Sequence, residues 1–392
     1  MEKTDMVVDL QESRSKIDKI DAQIVKLFEE RMEVANDVAA YKRSTGKKVY
    51  DAAREDEKIQ TLCKMADSPF NETAIEDLFR QIMSISRKYQ YQKLGESDST
   101  QADFPLQEVD KLDIGPDTRV CFFGERGAFS EQAMLEYFGE DVQSFNRTTF
   151  KDVMEAVASG EAEYGVLPIE NTSTGSIQDI YDLLVHCDNT LVAEHVVRVQ
   201  QSLLVKPGTR LEDIRTVYSH PQALKQCKSF FEEHDWMKGE EFASTAGAAK
   251  KVAESGDGSM AAIGSVRAAQ IFGLEVLCEG INFNKQNFTR FVIISSKKEY
   301  LKDANKICIS FEIKHEVGSL YNMLANFYYN GLNMTKIESR PMDGGPKEGQ
   351  KWEYRFIVDL EGNLKDPGVR NAFATVAECV SSLKILGNFQ TK

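Results

Sequence analysis

The sequence predicts a multidomain chain in which three fold classes follow one another: all-α, then α/β, then α+β of ferredoxin-like order. Three observations carry that prediction. Apolar residues recur at three-four spacing from Leu10 to Tyr41, with no Gly or Pro before Gly46. Strand-like and helical runs alternate through residues 117–297. Residues 305–392 read β-α-β-β-α-β. At 392 residues the chain is also too long for a single hydrophobic core.

Composition narrows the function classes. A net charge of -14 with 28% charged residues leaves no basic stripe to neutralise phosphates, so no nucleic-acid partner is expected. The N-terminal stretch lacks the apolar core of a signal peptide, and no apolar run reaches membrane-spanning length. A cytoplasmic chain with no membrane partner is expected. The seven cysteines stand singly, with no Cys-x-x-Cys pair, and read as reduced thiols. The five histidines are equally dispersed, so no metal is expected.

In the first segment, residues 1–95, the stripe Leu10, Ile17, Ile20, Ile24, Leu27, Val34, Val38 and Tyr41 marks one long amphipathic helix. Arg31 occupies the apolar register between Leu27 and Val34, so its guanidinium faces a packing partner and requires an anion. Lys42 shares that face roughly 16 Å further along, which leaves room for a small anionic molecule between the two. Arg14 lies roughly 25 Å from Arg31, too far for both to grip one small ligand. An antiparallel helix from a second subunit removes that difficulty. Asp51 is the N-cap of a second helix, with Arg54 and Glu55 in its first turn. A third helix is expected from Thr73 to Gln92, with Ser86 and Gln90 on one face. These residues together form a cationic cage with neutral donors, suited to a dicarboxylate.

The set Arg14, Arg31, Lys42, Asp51, Arg54, Glu55, Ser86 and Gln90 resembles the all-helical chorismate mutases, spacing included. The resemblance implies an intertwined homodimer, or a higher homo-oligomer, in which Arg14 serves the partner's site. It implies a pericyclic rearrangement of chorismate to prephenate, which needs no nucleophile, no proton transfer and no cofactor. It further implies that Arg14, Arg31 and Arg54 hold carboxylates, that Lys42 and Gln90 donate to the breaking ether oxygen, and that Asp51, Glu55 and Ser86 orient the hydroxyl side.

Residues 96–116, rich in Ser, Asp, Gly and Pro, read as a linker. In the middle segment, residues 117–297, strands are predicted at 119–124, 164–170, 195–205, 216–219, 261–265 and 290–295. The connections GERGAFS (124–130), PIENTSTGS (168–176), SHPQALKQC (219–227) and STAGAA (244–249) each lie where a helix begins. Several helix N-termini converging on a cleft would bind an anion through free N–H groups and the positive dipole end. Neither a dinucleotide fingerprint nor a P-loop is present, so neither NAD nor ATP is expected.

These loops, with Asn287-Phe288-Thr289-Arg290-Phe291, resemble prephenate dehydratase in order along the whole segment. The resemblance implies two α/β lobes around a cleft, similar to periplasmic binding proteins. It implies removal of CO2 and water from prephenate to give phenylpyruvate, with aromatisation as the driving force and no cofactor. Thr289 would polarise the leaving hydroxyl, and Arg290 would face substrate or structural carboxylates. Glu170 and His220 are the candidate proton sources, and Asn171, Ser219, Gln226 and Thr245 join Glu170 and Arg290 as implied binding residues.

Residues 305–392 offer no paired nucleophile and base, so ligand binding is expected there instead of catalysis. Glu338-Ser339-Arg340-Pro341 resembles a signature of ACT regulatory domains, which bind phenylalanine between subunits. That family's second signature stands here as Gly318-Ser319-Leu320-Tyr321, in which Ser319 and Tyr321 alter the volume and polarity of the pocket. Phenylalanine is thus the implied effector, held by Gly318, Ser319, Leu320, Glu338, Ser339, Arg340 and Pro341. The whole resembles a bifunctional enzyme of phenylalanine biosynthesis. Two other readings stay open: a mutase segment that serves only as a dimerisation arm, and a middle segment that binds a solute without chemistry.

Overall fold

A computed structural model describes residues 9–47, 49–95, 104–313, 315–342 and 353–391. The chain divides into two compact units. The N-terminal segment joins residues 313–333 and 365–381 in the first, and residues 104–312, 334–364 and 382–392 make the second.

In the first unit, α1 (Leu10–Thr45) starts because the Asp9 carboxylate accepts from the backbone N of Gln11 at 2.8 Å. It stops at Gly46, whose φ of 66° is the left-handed turn that glycine adopts cheaply. Asp51 caps α2 (Ala52–Cys63) as its position predicts, accepting from Arg54 N at 3.1 Å. The third helix, α3 (Pro69–Gly95), begins one turn earlier than its spacing suggests. Ser68 supplies the cap, its hydroxyl accepting from Asn71 N at 3.2 Å, and Pro69 fills a first-turn position that needs no N–H. A small core of Ile59, Cys63 and Met83 joins α2 to α3. The helices Ser319–Tyr329 and Pro367–Cys379 pack on α3 and complete the unit.

The predicted apolar stripe of α1 is not covered by its own chain. Leu10, Ile17, Ile20, Ile24, Leu27 and Val34 are each 55–63% exposed, whereas Ala35 and Ala39 are buried against the unit.

The second unit holds two large sheets. A five-stranded sheet runs Glu275–Cys278, Ser202–Val205, Met260–Gly264, Thr216–Ser219, Lys238–Glu241. In the ten-stranded sheet, Phe288–Ser295 lies between Thr190–Arg198 and Tyr164–Asn171, antiparallel to both. Apolar clusters cover both faces of each sheet. Cys121 and Cys227 lie inside these clusters, where burial pushes both thiols up to about 12. The predicted single strand 195–205 is in fact two strands in two sheets, and the chain crosses between the lobes at Val199–Gln201. Apolar patterning marks extended backbone but does not report which sheet the strand joins.

The C-terminal strands take the order Met334–Pro341, Tyr354–Glu361, Lys306–Glu312, Ser382–Gln390, all antiparallel, as a split β-α-β-β-α-β unit requires. They do not form a separate sheet. Ser382–Gln390 continues the ten-stranded sheet by pairing in parallel with Thr190–Arg198. The approach is so close that a Cβ on Gly387 would lie 2.1 Å from the carbonyl oxygen of Leu191, so only glycine fits. Part of the expected linker is also structured. Gln107–Val109 pairs in parallel with Glu299–Leu301, and Leu112 is buried in the adjoining core. A three-residue strand leaves too little periodicity to be read from sequence. Residues 96–103 of that linker lie outside the described residues. No described helix is long and apolar enough to cross a membrane.

Candidate active sites

A cavity of about 320 Å³ opens among the three N-terminal helices. Arg31, Lys42, Asp51, Arg54, Glu55, Ser86 and Gln90 all line it, while Arg14 is exposed elsewhere on α1. Arg31 is half-buried, and its Nη1 is shielded from solvent without a hydrogen-bond partner among the described residues. Burial lowers its pKa, and the charge of Glu55 opposes that shift. Ser86 and Gln90 are buried, with Gln90 Nε2 donating to Ser86 Oγ at 3.3 Å and Gln90 Oε1 without a partner among the described residues. Lys42 Nζ donates to the carbonyl of Val49 at 2.5 Å. Asp51 and Arg54 stand at the solvent rim: the first caps α2, and the second pairs with Glu57 at 2.8 Å.

Sequence reasoning missed Arg87, which lines the same cavity, forms an ion pair with Glu55 and packs over the Tyr50 ring at 4.8 Å. The available signal was helical spacing, four residues from Met83 and three from Gln90.

In the second unit a cavity of about 550 Å³ lies between the two lobes. One wall presents Thr289, Phe291, Asn171 and Pro168, and the other presents Gln201, His220, Gln226 and Thr245. Thr289 is 8% exposed and opposite Asn171 in register, and Asn171 Nδ2 donates to Thr289 Oγ1 at 2.9 Å. A β-bulge makes this wall. Phe291 pairs with Pro168 while Arg290 pairs with Glu170, so Ile169 is skipped and Pro168 shares a face with Asn171. Pro168 has no N–H to give a central strand, and the bulge accommodates it. Helices Phe129–Phe138 and Thr245–Glu254 both begin at the cavity. The Glu125 carboxylate, unassigned by sequence reasoning, reaches the first turn of the second of these near Gly247 and also lines the cavity. Its position inside the polar loop 124–130 was the only hint.

Three residues expected at this cleft lie elsewhere. Ser219 is fully buried and donates to Ile263 O at 2.7 Å. Arg290 and Glu170 point to the opposite face of the sheet, where they bond each other at 3.0 Å. There Arg290 also meets Glu194 at 3.1 Å, Asp359 at 3.0 Å and the Tyr181 hydroxyl at 3.3 Å. Lys336 reaches Glu170 at 3.1 Å, and Lys306 reaches Glu194 at 2.8 Å. Three cations and four carboxylates, counting Glu338 at 3.7 Å from Lys336, therefore form one cluster, with four of its members contributed by the C-terminal strands. Burial alone would lower the pKa of Arg290, but Asp359, Tyr181, Glu194 and Glu170 outweigh it and raise the value. Burial would raise Glu170, yet Lys336 and Arg290 hold it below the usual carboxylate range. A carboxylate so held is a poor proton donor.

Of the expected effector residues, Gly318 has φ 82° and starts the helix Ser319–Tyr329 with Ser319 and Leu320. Glu338 accepts from Ser176 Oγ, and Arg340 pairs with Asp182 at 2.5 Å, so both face the dehydratase-like segment. Ser339 and Pro341 alternate to the exposed side of the strand.

A helical cationic cage followed by a two-lobed α/β cleft of hydroxyls and amides defines a two-site protein for small carboxylate ligands. Family models match in the same order, "Chorismate mutase type II" over residues 13–91 and "Prephenate dehydratase" over residues 120–299. The chain is 33% identical over 387 residues to the bifunctional chorismate mutase/prephenate dehydratase of Escherichia coli K12, covering 97% of this chain and 95% of that one. It belongs to the bifunctional chorismate mutase/prephenate dehydratase family. Among solved structures, the prephenate dehydratase of Arthrobacter aurescens in complex with L-Phe is 28% identical with a TM-score of 0.64, over 70% of this chain and 90% of that one. GqqA, described as a quorum quenching acylase, is 30% identical with the same TM-score of 0.64, over 70% of this chain and 98% of that one.

Proposed function

We propose that this chain rearranges chorismate to prephenate in the helical cage and converts prephenate to phenylpyruvate in the α/β cleft, with phenylalanine as inhibitor. One observation supports the mutase half above the rest. A buried guanidinium nitrogen of Arg31 lacks an anion inside a cavity that Lys42 also lines, and a substrate carboxylate supplies one. Lys42 and Gln90 then donate to the ether oxygen as its charge grows, which lowers the barrier of a reaction needing no covalent catalysis. The exposed stripe of α1 suits a second copy of the chain, whose Arg14 would close the cage.

In the cleft, the carboxylate carbon–carbon bond breaks, its electron pair enters the ring, and hydroxide departs as water after taking one proton. Thr289, held by Asn171, polarises the leaving hydroxyl. Its proton comes from the cavity side, where Glu125 and His220 stand, while Glu170 supports the sheet from behind. Phenylalanine bound at the strand Met334–Pro341 would act on the cleft through Lys336 and Glu170, which requires different affinities for two states of the chain.

Purified chain supplied with chorismate alone tests both halves. Chorismate loss with phenylpyruvate formation, suppressed by phenylalanine, is the expected result. Prephenate accumulating without phenylpyruvate would refute the dehydratase assignment, and unconsumed chorismate would refute the mutase assignment.

A further inference from the structure

Glu55 is coupled to two guanidinium groups. Arg87 on α3 forms an ion pair with it, and Arg31 on α1 feels its charge while keeping Nη1 unpartnered. All three side chains line the same cavity. Arg87 is held in place: it is 12% exposed and stacked over Tyr50.

We propose that Arg87 is a positioning residue of the mutase site, which keeps Glu55 away from Arg31 so that Arg31 stays open to a substrate carboxylate. The proposal rests on the mutase reading above. A half-buried carboxylate that loses its cation is left uncompensated, and with Arg54 already paired to Glu57, Arg31 is the guanidinium of the cavity open to replace it. Without Arg87, therefore, Glu55 is drawn to Arg31 and neutralises the very group that binds substrate. An internal carboxylate then competes with the substrate carboxylate for one guanidinium. The competition acts on binding, because the carboxylate held by Arg31 keeps its charge through the rearrangement. Loss of binding that is equal in the ground and transition states raises KM and spares kcat.

Chorismate kinetics of the full chain as Arg87→Met, Arg87→Lys, Glu55→Gln and the double variant Glu55→Gln/Arg87→Met test the proposal. Arg87→Met should raise KM about tenfold with kcat within about threefold of the unaltered chain. Arg87→Lys, which keeps a cation against Glu55, should stay within about threefold on both constants. In the Glu55→Gln background no carboxylate remains to occupy Arg31, so adding Arg87→Met should change KM by less than about twofold. Helical circular dichroism and thermal melting of the same preparations report whether the first unit of each variant is folded. Should Arg87→Met lose that helical signal, Arg87→Gln takes its place in the cycle. An equal rise in KM in both backgrounds, or a fall in kcat with KM unchanged, would overturn the proposal. An unaltered chain that does not consume chorismate would refute the mutase reading itself.

Discussion

Thr289 and Arg290 are neighbours in sequence but face opposite sides of one strand, because successive side chains alternate. Thr289 meets the cavity and Asn171, while Arg290 meets three carboxylates behind the sheet. The Thr289 hydroxyl is thus set by a strand anchored on its other face through Arg290, which does not line the cleft. Thr289→Val keeps the shape and removes the hydroxyl. It should lower dehydratase kcat about 100-fold or more while chorismate consumption is unchanged, and Thr289→Ser should recover most of the loss. A Thr289→Val chain with full dehydratase velocity would refute a role for that hydroxyl.

At the scale of elements, the C-terminal strands are load shared with the middle segment. Gly387→Ala would force a Cβ into the Leu191 carbonyl where the two segments join, and should destabilise the second unit by roughly 3 kcal/mol. Urea denaturation followed through the second unit measures it, and an unshifted midpoint would contradict the close strand approach. The ion cluster behind the cleft has a pH signature. Glu170 and Glu194 are both held below the ordinary carboxylate pKa, Glu170 by Lys336 and Arg290 and Glu194 by Lys306 and Arg290, each against the opposing effect of burial. Their stabilisation is therefore complete above the unfolded value of about 4.3 and is lost as pH falls through the lowered folded values. Lys336→Met should cost stability at pH 7 and progressively less as pH drops toward about 3, read from urea midpoints across that range. A deficit that stayed constant with pH would show that Lys336 contributes by packing alone.

For the whole molecule, the stripe on α1 leaves a row of large apolar side chains uncovered by the described residues, and Arg14 does not line the cavity that Arg31 lines. The second copy proposed above would resolve both. Ile20→Glu with Ile24→Glu should convert a dimer to monomer in sedimentation, reduce chorismate turnover by about 100-fold or more, and leave prephenate turnover within about threefold. A variant that stays dimeric with full mutase activity would place the interface elsewhere.

Helix periodicity, caps and charged residues in an apolar register were legible in the sequence because they are set within one or two turns of chain. Gly46 and Asp51 bound their helices as read, and seven of the eight cage residues share one cavity. Gln143–Arg147, Lys238–Glu241 and Glu275–Cys278 escaped that reading, but the more apolar strands of the middle and last segments were legible for the same reason. Their partners were not. That residues 195–205 cross between sheets, that Ser382–Gln390 joins Thr190–Arg198, and that Glu170 and Arg290 turn away from the cleft all depend on pairing between distant segments and on one bulge at Ile169. Local patterning records whether a side chain is buried, and only tertiary pairing decides what it is buried against.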